Sequence, residues 1–289
     1  MSIRVYIDGQ VRGPESAMVS VFDRGFLYGD SVYETIALVD QRLLFLSEHL
    51  NRLERSAERI FLTLPAREHV EAAIGETVVA TALKDARIRV IVTRGAGNLD
   101  IDPTTAGNSQ LIVIVQPIGG PTAEMFETGV AVAVVKSTRT SQTGVDPAVK
   151  SGNYLGSVLA IAQARRTYPG AHEAILCSSG GSIAEGATSN VFLVSQGELV
   201  TPALGIGILE GVTRGKVLEL ARGAGITACE VLFLAPETLR SADEVFLTSA
   251  VRGILPVTSV DGQRVGNGRP GPITQRLRAL YQRLTSEAR

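Results

Sequence analysis

Only four lysines occur among the 289 residues, Lys84, Lys136, Lys150 and Lys216, so amine chemistry has few places to reside. Lys150 stands in Val149-Lys150-Ser151-Gly152-Asn153-Tyr154, between a polar stretch and a helical pattern. Withdrawal from water there disfavours the ammonium form, and an uncharged amine can condense with an aldehyde to a Schiff base. A carboxylate, Glu185, follows a Gly-rich turn and precedes a strand-like run. Buried against a cationic ring nitrogen, it would keep that nitrogen protonated. The run Gly207-Ile208-Leu209-Glu210-Gly211-Val212-Thr213-Arg214 leads into a helix, whose first N–H groups, with the Thr213 hydroxyl, can receive a phosphate. Arg52, on an earlier helix, can add a charge-assisted bond to the same anion. Each feature has an ordinary alternative: a surface lysine, a turn glutamate, a plain helix start, a solvated arginine. Their joint occurrence in this order suits an aldehyde cofactor that carries a phosphate.

Other chemistries find less support. His49, His69 and His172 are widely spaced and form no HExxH or Cys/His zinc pattern, so no metal is expected. No GxSxG elbow or GxxxxGK[ST] loop occurs, and Gly205-Ile206-Gly207 is followed by the wrong spacing for a dinucleotide turn. A formal net charge of -1, from 28 basic and 29 acidic residues, lacks the cationic excess that nucleic acid binding relies on. Cys177 and Cys229 make no disulfide framework, which points to a reducing compartment. The N-terminus has no apolar signal core, and no stretch approaches the roughly 20 apolar residues needed to cross a bilayer. A soluble, cytoplasmic protein without a membrane or nucleic acid partner is expected.

The elements that must position these residues are mixed α and β. Short β-rich runs at 4–7, 32–39 and 43–46 are separated by turn formers. Ser47 can cap a helix whose Leu50, Leu53, Ala57, Ile60 and Phe61 recur at three-to-four spacing, and a second helix is expected over 67–84. Runs at 88–93 and 111–116 flank a Gly, Asp and Asn-rich loop over 95–108, read as a substrate lid. The GGP-containing stretch 117–128 is the best linker candidate. Beyond it come a strand over 130–136, a polar loop over 137–149, a helix over 154–166, strands at 173–177, 190–194 and 245–248, and a helix from about Gly211. Pro272 can start a last helix carrying Ile273, Leu277, Leu280 and Leu284. With 45% hydrophobic residues, the chain can bury about three quarters of the surface it exposes when unfolded. The division expected is a small α/β domain over 1–120, a linker over 121–128 and a larger α/β domain over 129–289.

Five ordered segments resemble the class IV, fold-type IV pyridoxal-phosphate enzymes, namely branched-chain aminotransferases, D-amino-acid aminotransferases and aminodeoxychorismate lyases. They are VFDRGFLYGDSVYETI (21–36), HLNRLERSA (49–57), VKSGNYL (149–155), EGATSNVF (185–192) and GILEGVTR (207–214), and together they span nearly the whole chain. The resemblance implies a two-domain α/β fold and at least a homodimer, with an active site between the domains that the other subunit completes. It implies pyridoxal 5′-phosphate as cofactor, with an amino donor and a 2-oxo acid acceptor as partners.

Carried over position by position, the resemblance makes Lys150 the Schiff-base lysine and Glu185 the partner of the ring nitrogen. Arg52, Val212 and Thr213 match phosphate-binding positions, and Leu209 the residue packed on the ring. Tyr154 resembles the tyrosine that bonds the cofactor's phenolic oxygen, although it follows the lysine by four positions where branched-chain enzymes usually have five. Thr248 and Ser249 lie in the region where a further phosphate contact is expected, Ser249 being the residue assigned to it, while Ala250 replaces a frequent threonine. Tyr33, Arg89 and Ala250 fall at substrate-side positions. Arg87-Ile88-Arg89 keeps the second position of the Tyr-Ile-Arg run of branched-chain enzymes and changes the first; Arg89 can still bind a carboxylate, and a solvent-facing strand arginine is an equal alternative. Leu99 and Ile101 stand where D-amino-acid enzymes commonly carry Arg and His. The activity implied is transamination of a hydrophobic or branched-chain L-amino acid. The alternatives are a D-amino-acid or (R)-amine aminotransferase, aminodeoxychorismate lyase, or a noncatalytic cofactor-binding protein.

Overall fold

The computed structural model describes residues 3–138 and 146–287. Residues 139–145, within the polar loop expected over 137–149, lie outside the described residues. The chain divides into two compact units, one of residues up to 119 together with 149–153, the other of 120–148 and the residues from 154 onward. The segment that carries Lys150 thus groups with the first unit, although the sequence division assigned it to the domain over 129–289. Among the described residues no helix is long and apolar enough to cross a membrane.

The first unit runs β1 (Arg4–Ile7), β2 (Gln10–Arg12), α1 (Arg24–Tyr28), β3 (Ser31–Val39), β4 (Arg42–Leu43), α2 (Leu46–Arg59), α3 (Arg67–Thr81), β5 (Ala86–Thr93) and β6 (Gln110–Pro117). The strands form one antiparallel sheet in the order β2-β1-β6-β5-β3-β4. Alternation along β3 and β5 sends Val32, Ile36, Leu38, Ile88, Val90 and Val92 into a core shared with Leu50, Leu53 and Ala57 of α2 and with Val70, Ala73 and Ile74 of α3. Several boundaries differ from expectation. The strand over 43–46 stops at Leu43, because Phe45 adopts a left-handed conformation (φ 54°) from which α2 begins at Leu46. Ser47 is therefore inside α2, whose N-cap position is Phe45, with no side-chain cap. Phe61 lies past the end of α2 and is 90% exposed. Ala82, also left-handed, ends α3 before Lys84.

Period-two alternation also sends Glu34 of β3 into the helix-covered core, where it is fully buried. A buried carboxylate is costly unless paired. Arg52 of α2 answers it with Nε on Oε1 and Nη2 on Oε2, both at 2.7 Å. His49, one turn earlier, donates from Nδ1 to Oε2 at 2.7 Å, since an ionised carboxylate only accepts. Burial alone would push Glu34 up. The Arg52 charge and the bonds from Arg52 and His49 more than offset it, holding the carboxyl at about 2 against an ordinary 4.5. The bidentate pair fixes the plane of the Arg52 guanidinium.

The loop over 95–108 is tied down as well. Buried Arg24 of α1 donates from Nη1 and Nη2 to the main-chain oxygens of Asp100 and Ile101, each at 2.7 Å, and from Nε to Asp30. Tyr28 Oη donates to the Leu99 oxygen at 2.8 Å.

The second unit runs α4 (Ala123–Thr128), β7 (Val130–Thr138), α5 (Leu155–Thr167), β8 (Ala171–Cys177), β9 (Ile183–Gly186), β10 (Asn190–Ser195), β11 (Glu198–Pro202), α6 (Val212–Gly223), β12 (Ala228–Val231), α7 (Pro236–Arg240), β13 (Glu244–Ser249), β14 (Gly253–Val260), β15 (Gln263–Arg264) and α8 (Pro272–Glu287). Its mixed sheet has the order β12-β11-β10-β13-β14-β7-β8-β9, with β15 on β14. Residues 123–128, expected as linker, form α4, capped by Thr122 Oγ1 on the Met125 N–H and packed on β14. On α8 the buried positions are Thr274, Leu277 and Tyr281, so the inward stripe differs from the expected Ile273, Leu277, Leu280 and Leu284.

Removing the Glu34 charge takes from the buried Arg52 the carboxylate that grips it bidentately, so Glu34→Gln is expected to cost about 3 kcal/mol of unfolding free energy in urea titrations. Because the carboxyl is depressed in the folded chain, its stabilisation is present above pH 4.5 and lost as pH falls towards about 2. The difference between wild type and Glu34→Gln should shrink over that window, and a difference constant with pH would contradict the assignment.

Candidate active site

In the first unit the site is built on an unfilled strand edge. β4 pairs only with Leu38 and Val39 of β3, and the start of β3 takes residues 150–152 as its neighbour instead. Tyr33 N–H donates to the Lys150 oxygen and Gly152 N–H to the Ser31 oxygen, each at 3.0 Å, around an antiparallel bridge between Val32 and Ser151. The Lys150 N–H donates to Oγ of buried Ser56 on α2 at 3.2 Å. A Cβ at Gly152 would fall on Ser31 Oγ, so glycine allows the close approach without displacing that side chain. With its main chain held, Lys150 brings Nζ to 4.6 Å from the centroid of the buried Tyr33 ring. The exposed Arg89 brings its guanidinium carbon to 4.2 Å from the same ring, within cation–π range.

In the second unit Glu185 of β9 is buried, and its Oε2 accepts from Asn190 Nδ2 at 3.2 Å and from the Leu209 N–H at 3.1 Å. Asn190 Nδ2 also donates to the Leu209 oxygen at 3.0 Å. One carboxylate oxygen, one amide and one peptide unit thereby orient each other. Two residues on, the chain passes so close to Asn190 Oδ1 that only Gly211 fits, and α6 begins directly after it with no side-chain cap. The first N–H groups of α6, those of Val212 and Thr213, have no acceptor within the helix. The buried Thr213 hydroxyl shares a hydrogen bond with Tyr281 of α8. Burial raises the Tyr281 phenol above its ordinary value, and the Thr213 bond partly offsets that.

The candidate residues thus fall into two groups. Tyr33, Arg52, Arg89 and Lys150 belong to the first unit, and Tyr154, Glu185, Leu209, Val212, Thr213, Ser249 and Ala250 to the second. Tyr154 is the half-buried N-cap residue of α5, Ser249 ends β13, and Ala250 starts the turn into β14. The sequence reading misses Glu34, Ser56, Asn190 and Tyr281, each of which holds a candidate residue through a hydrogen bond, and His49, which holds Glu34. A signal exists for some of them. His49, Arg52 and Ser56 recur at helical spacing beside the apolar stripe of α2, and Glu34 sits at a core-facing strand position.

The residues present fit pyridoxal 5′-phosphate. An uncapped helix start suits a phosphate, and a buried, pinned carboxylate suits a protonated ring nitrogen. Thr248 Oγ1 adds a buried hydroxyl with no partner among the described residues, beside its cross-strand neighbour Asn190. The family model "Amino-transferase class IV" matches residues 31–260. A putative branched-chain-amino-acid aminotransferase of Methanocaldococcus jannaschii is 37% identical over 281 residues, 97% of this chain and 96% of that protein. A D-alanine aminotransferase of Bacillus licheniformis is 33% identical over 281 residues, with the same coverage of 97% and 96%. The solved branched-chain amino acid aminotransferase of Escherichia coli matches with a TM-score of 0.92 at 32% identity, over 97% of this chain and 94% of that one. With a family model covering most of its length and relatives above 30% identity end to end, this chain belongs to the class IV aminotransferases, the pyridoxal-phosphate-dependent transaminases of fold type IV.

Proposed function

We propose that the enzyme moves an amino group from a branched-chain or other hydrophobic L-amino acid to a 2-oxo acid such as 2-oxoglutarate, with Lys150, Glu185 and the start of α6 serving one cofactor. The observation that carries this reading is the main-chain docking of Lys150 on β3, which fixes the backbone from which the amine reaches over the Tyr33 ring. Pyridoxal 5′-phosphate, when bound, supplies an aldehyde that takes up the amino group and a ring that draws electrons from the reacting carbon. Lys150 would hold the cofactor through Nζ, and as an uncharged amine Nζ would serve as the base that takes the proton from the substrate's α-carbon and, once protonated, as the acid that gives it back. Glu185 keeps the ring nitrogen protonated and so sets how strongly electrons are drawn.

The Val212 and Thr213 N–H groups, Arg52 and Ser249 hold the phosphate. Leu209 packs on the ring, and Tyr154 donates to the phenolic oxygen. Tyr33, Arg89 and Ala250 line the substrate side, where Arg89 offers a cation for a carboxylate. The names of two of the three proteins reported above support branched-chain substrates. The D-alanine aminotransferase relative favours a second reading, a D-amino acid donor. Against it, Leu99 and Ile101 occupy positions where such enzymes commonly hold a carboxylate with Arg and His, and both are exposed apolar side chains.

The same apolar surface supports a homodimer. Phe22, Phe26, Leu99 and Ile101 are all more than half exposed, on two segments of the first unit that the Arg24 and Tyr28 bonds tie together. Large exposed apolar groups clustered in this way mark a covered face, and a second copy of the chain is its occupant.

Turnover of L-leucine, L-isoleucine and L-valine should exceed that of D-alanine and should require added 2-oxoglutarate. Faster turnover of D-alanine would move the assignment to the second reading, and activity without an acceptor would point to the lyase. In stopped-flow absorbance of the cofactor, Lys150→Ala should lose about 10³-fold or more in the half-reaction, and Glu185→Gln about 10²-fold with cofactor retained. Near-normal rates in either variant would remove the role given to that residue. Light scattering should give twice the 30.6 kDa chain mass, and Phe26→Glu with Ile101→Glu should give the single mass.

A further inference from the structure

The turn that joins β13 to β14 carries an arginine with no part in the reaction just described. Ala250, Val251 and Arg252 form the turn, and Gly253 closes it in a left-handed conformation (φ 59°). A Cβ at Gly253 would press on the Tyr281 ring at 3.1 Å, so the side chain that bonds Thr213 also backs this turn. Arg252 folds back along the turn and donates from Nε to Ser249 Oγ at 2.9 Å. Its other end is anchored, with Nη1 on Glu173 Oε2 at 2.9 Å and Nη2 on Thr188 Oγ1 at 2.6 Å and the Thr188 oxygen at 3.1 Å. Glu173 of β8 is buried, and the same Oε2 accepts from Thr188 Oγ1 at 2.7 Å and from Ser189 Oγ at 3.4 Å. The arginine is thus neutralised and immobilised by groups from β8 and from the turn before β10.

A hydroxyl that accepts from a fixed donor has its own O–H direction restricted. With Arg252 Nε occupying one lone pair of Ser249, the O–H must point elsewhere, and among the described residues nothing accepts it. We infer that Arg252 is a positioning residue, which orients Ser249 so that its O–H donates to the cofactor's phosphate and so replaces the hydroxyl that Ala250 lacks. This rests on the proposed reading of Ser249 as a phosphate contact. Because Glu173 cancels its charge, Arg252 acts through the direction of one hydrogen bond rather than through long-range attraction.

The test measures binding of pyridoxal 5′-phosphate and of pyridoxal, which lacks the phosphate, to the apoenzyme by fluorescence quenching. Arg252→Lys keeps a cation for Glu173 but loses the Nε donor, and Arg252→Gln stands in if that variant does not fold. Loss of one oriented bond to a charged acceptor should weaken pyridoxal 5′-phosphate binding about tenfold and leave pyridoxal unchanged. Ser249→Ala should do the same, the double variant should bind no worse than Ser249→Ala alone, and Ala250→Thr should restore affinity to Arg252→Lys. If Ser249→Ala weakens binding and the Arg252 variants do not, the inference fails and the reading of Ser249 stands. If neither does, that reading fails and takes the inference with it. Additive losses, or an equal loss for pyridoxal, would make Arg252 a direct ligand or a structural strut and overturn the inference.

Discussion

The hydrogen bonds that join residues 150–152 to the free edge of β3 are the constraint on which the rest of the site depends. A lysine side chain has four rotatable carbons, and its amine can be aimed only if the main chain beneath it cannot shift. Here the strand edge is available because β4 is two residues long, and Ser56 and Gly152 fix the approach. Tyr33 takes part twice, through its main-chain N–H to the Lys150 oxygen and through its ring beneath Nζ.

Three buried carboxylates repeat one device elsewhere in the chain. Glu34 fixes Arg52, Glu185 is fixed with Asn190 and the Leu209 peptide, and Glu173 anchors Arg252. Burying a carboxylate costs several kcal/mol unless its partners are well aligned, so each such group demands a rigid neighbourhood. The rigidity is delivered to a side chain or helix start with a proposed role at the cofactor. Arg52 is an example of the benefit, since an unpaired guanidinium on an open helix face would sample many rotamers.

Much of this is legible in the residues themselves, and the reasons for the gaps are physical. Strands β3, β5, β8, β10 and β13 announce themselves by alternation or by unbroken β-branched runs, and α6 by its glycine-bounded start. Lys150, Glu185 and the α6 start stand in short motifs whose residue types already imply their chemistry. The start of α2 misleads because a left-handed Phe45, which no propensity favours, takes the place expected of Ser47. Residues 123–128 look like linker because a Gly-Gly-Pro run precedes a helix too short to show periodicity. Tyr281 and Arg252 escape notice for another reason. Their partners, Thr213, Ser249 and Glu173, are remote in sequence, and only the folded sheet brings them into reach.

One amine, set on the edge of β3, is the group proposed to carry the cofactor. Reducing the holoenzyme with borohydride, digesting it and locating the added cofactor mass by tandem mass spectrometry tests this directly. The label is expected on Lys150 and on none of Lys84, Lys136 or Lys216. A label on another lysine, or a reduced protein that releases its cofactor unattached on denaturation, would contradict it.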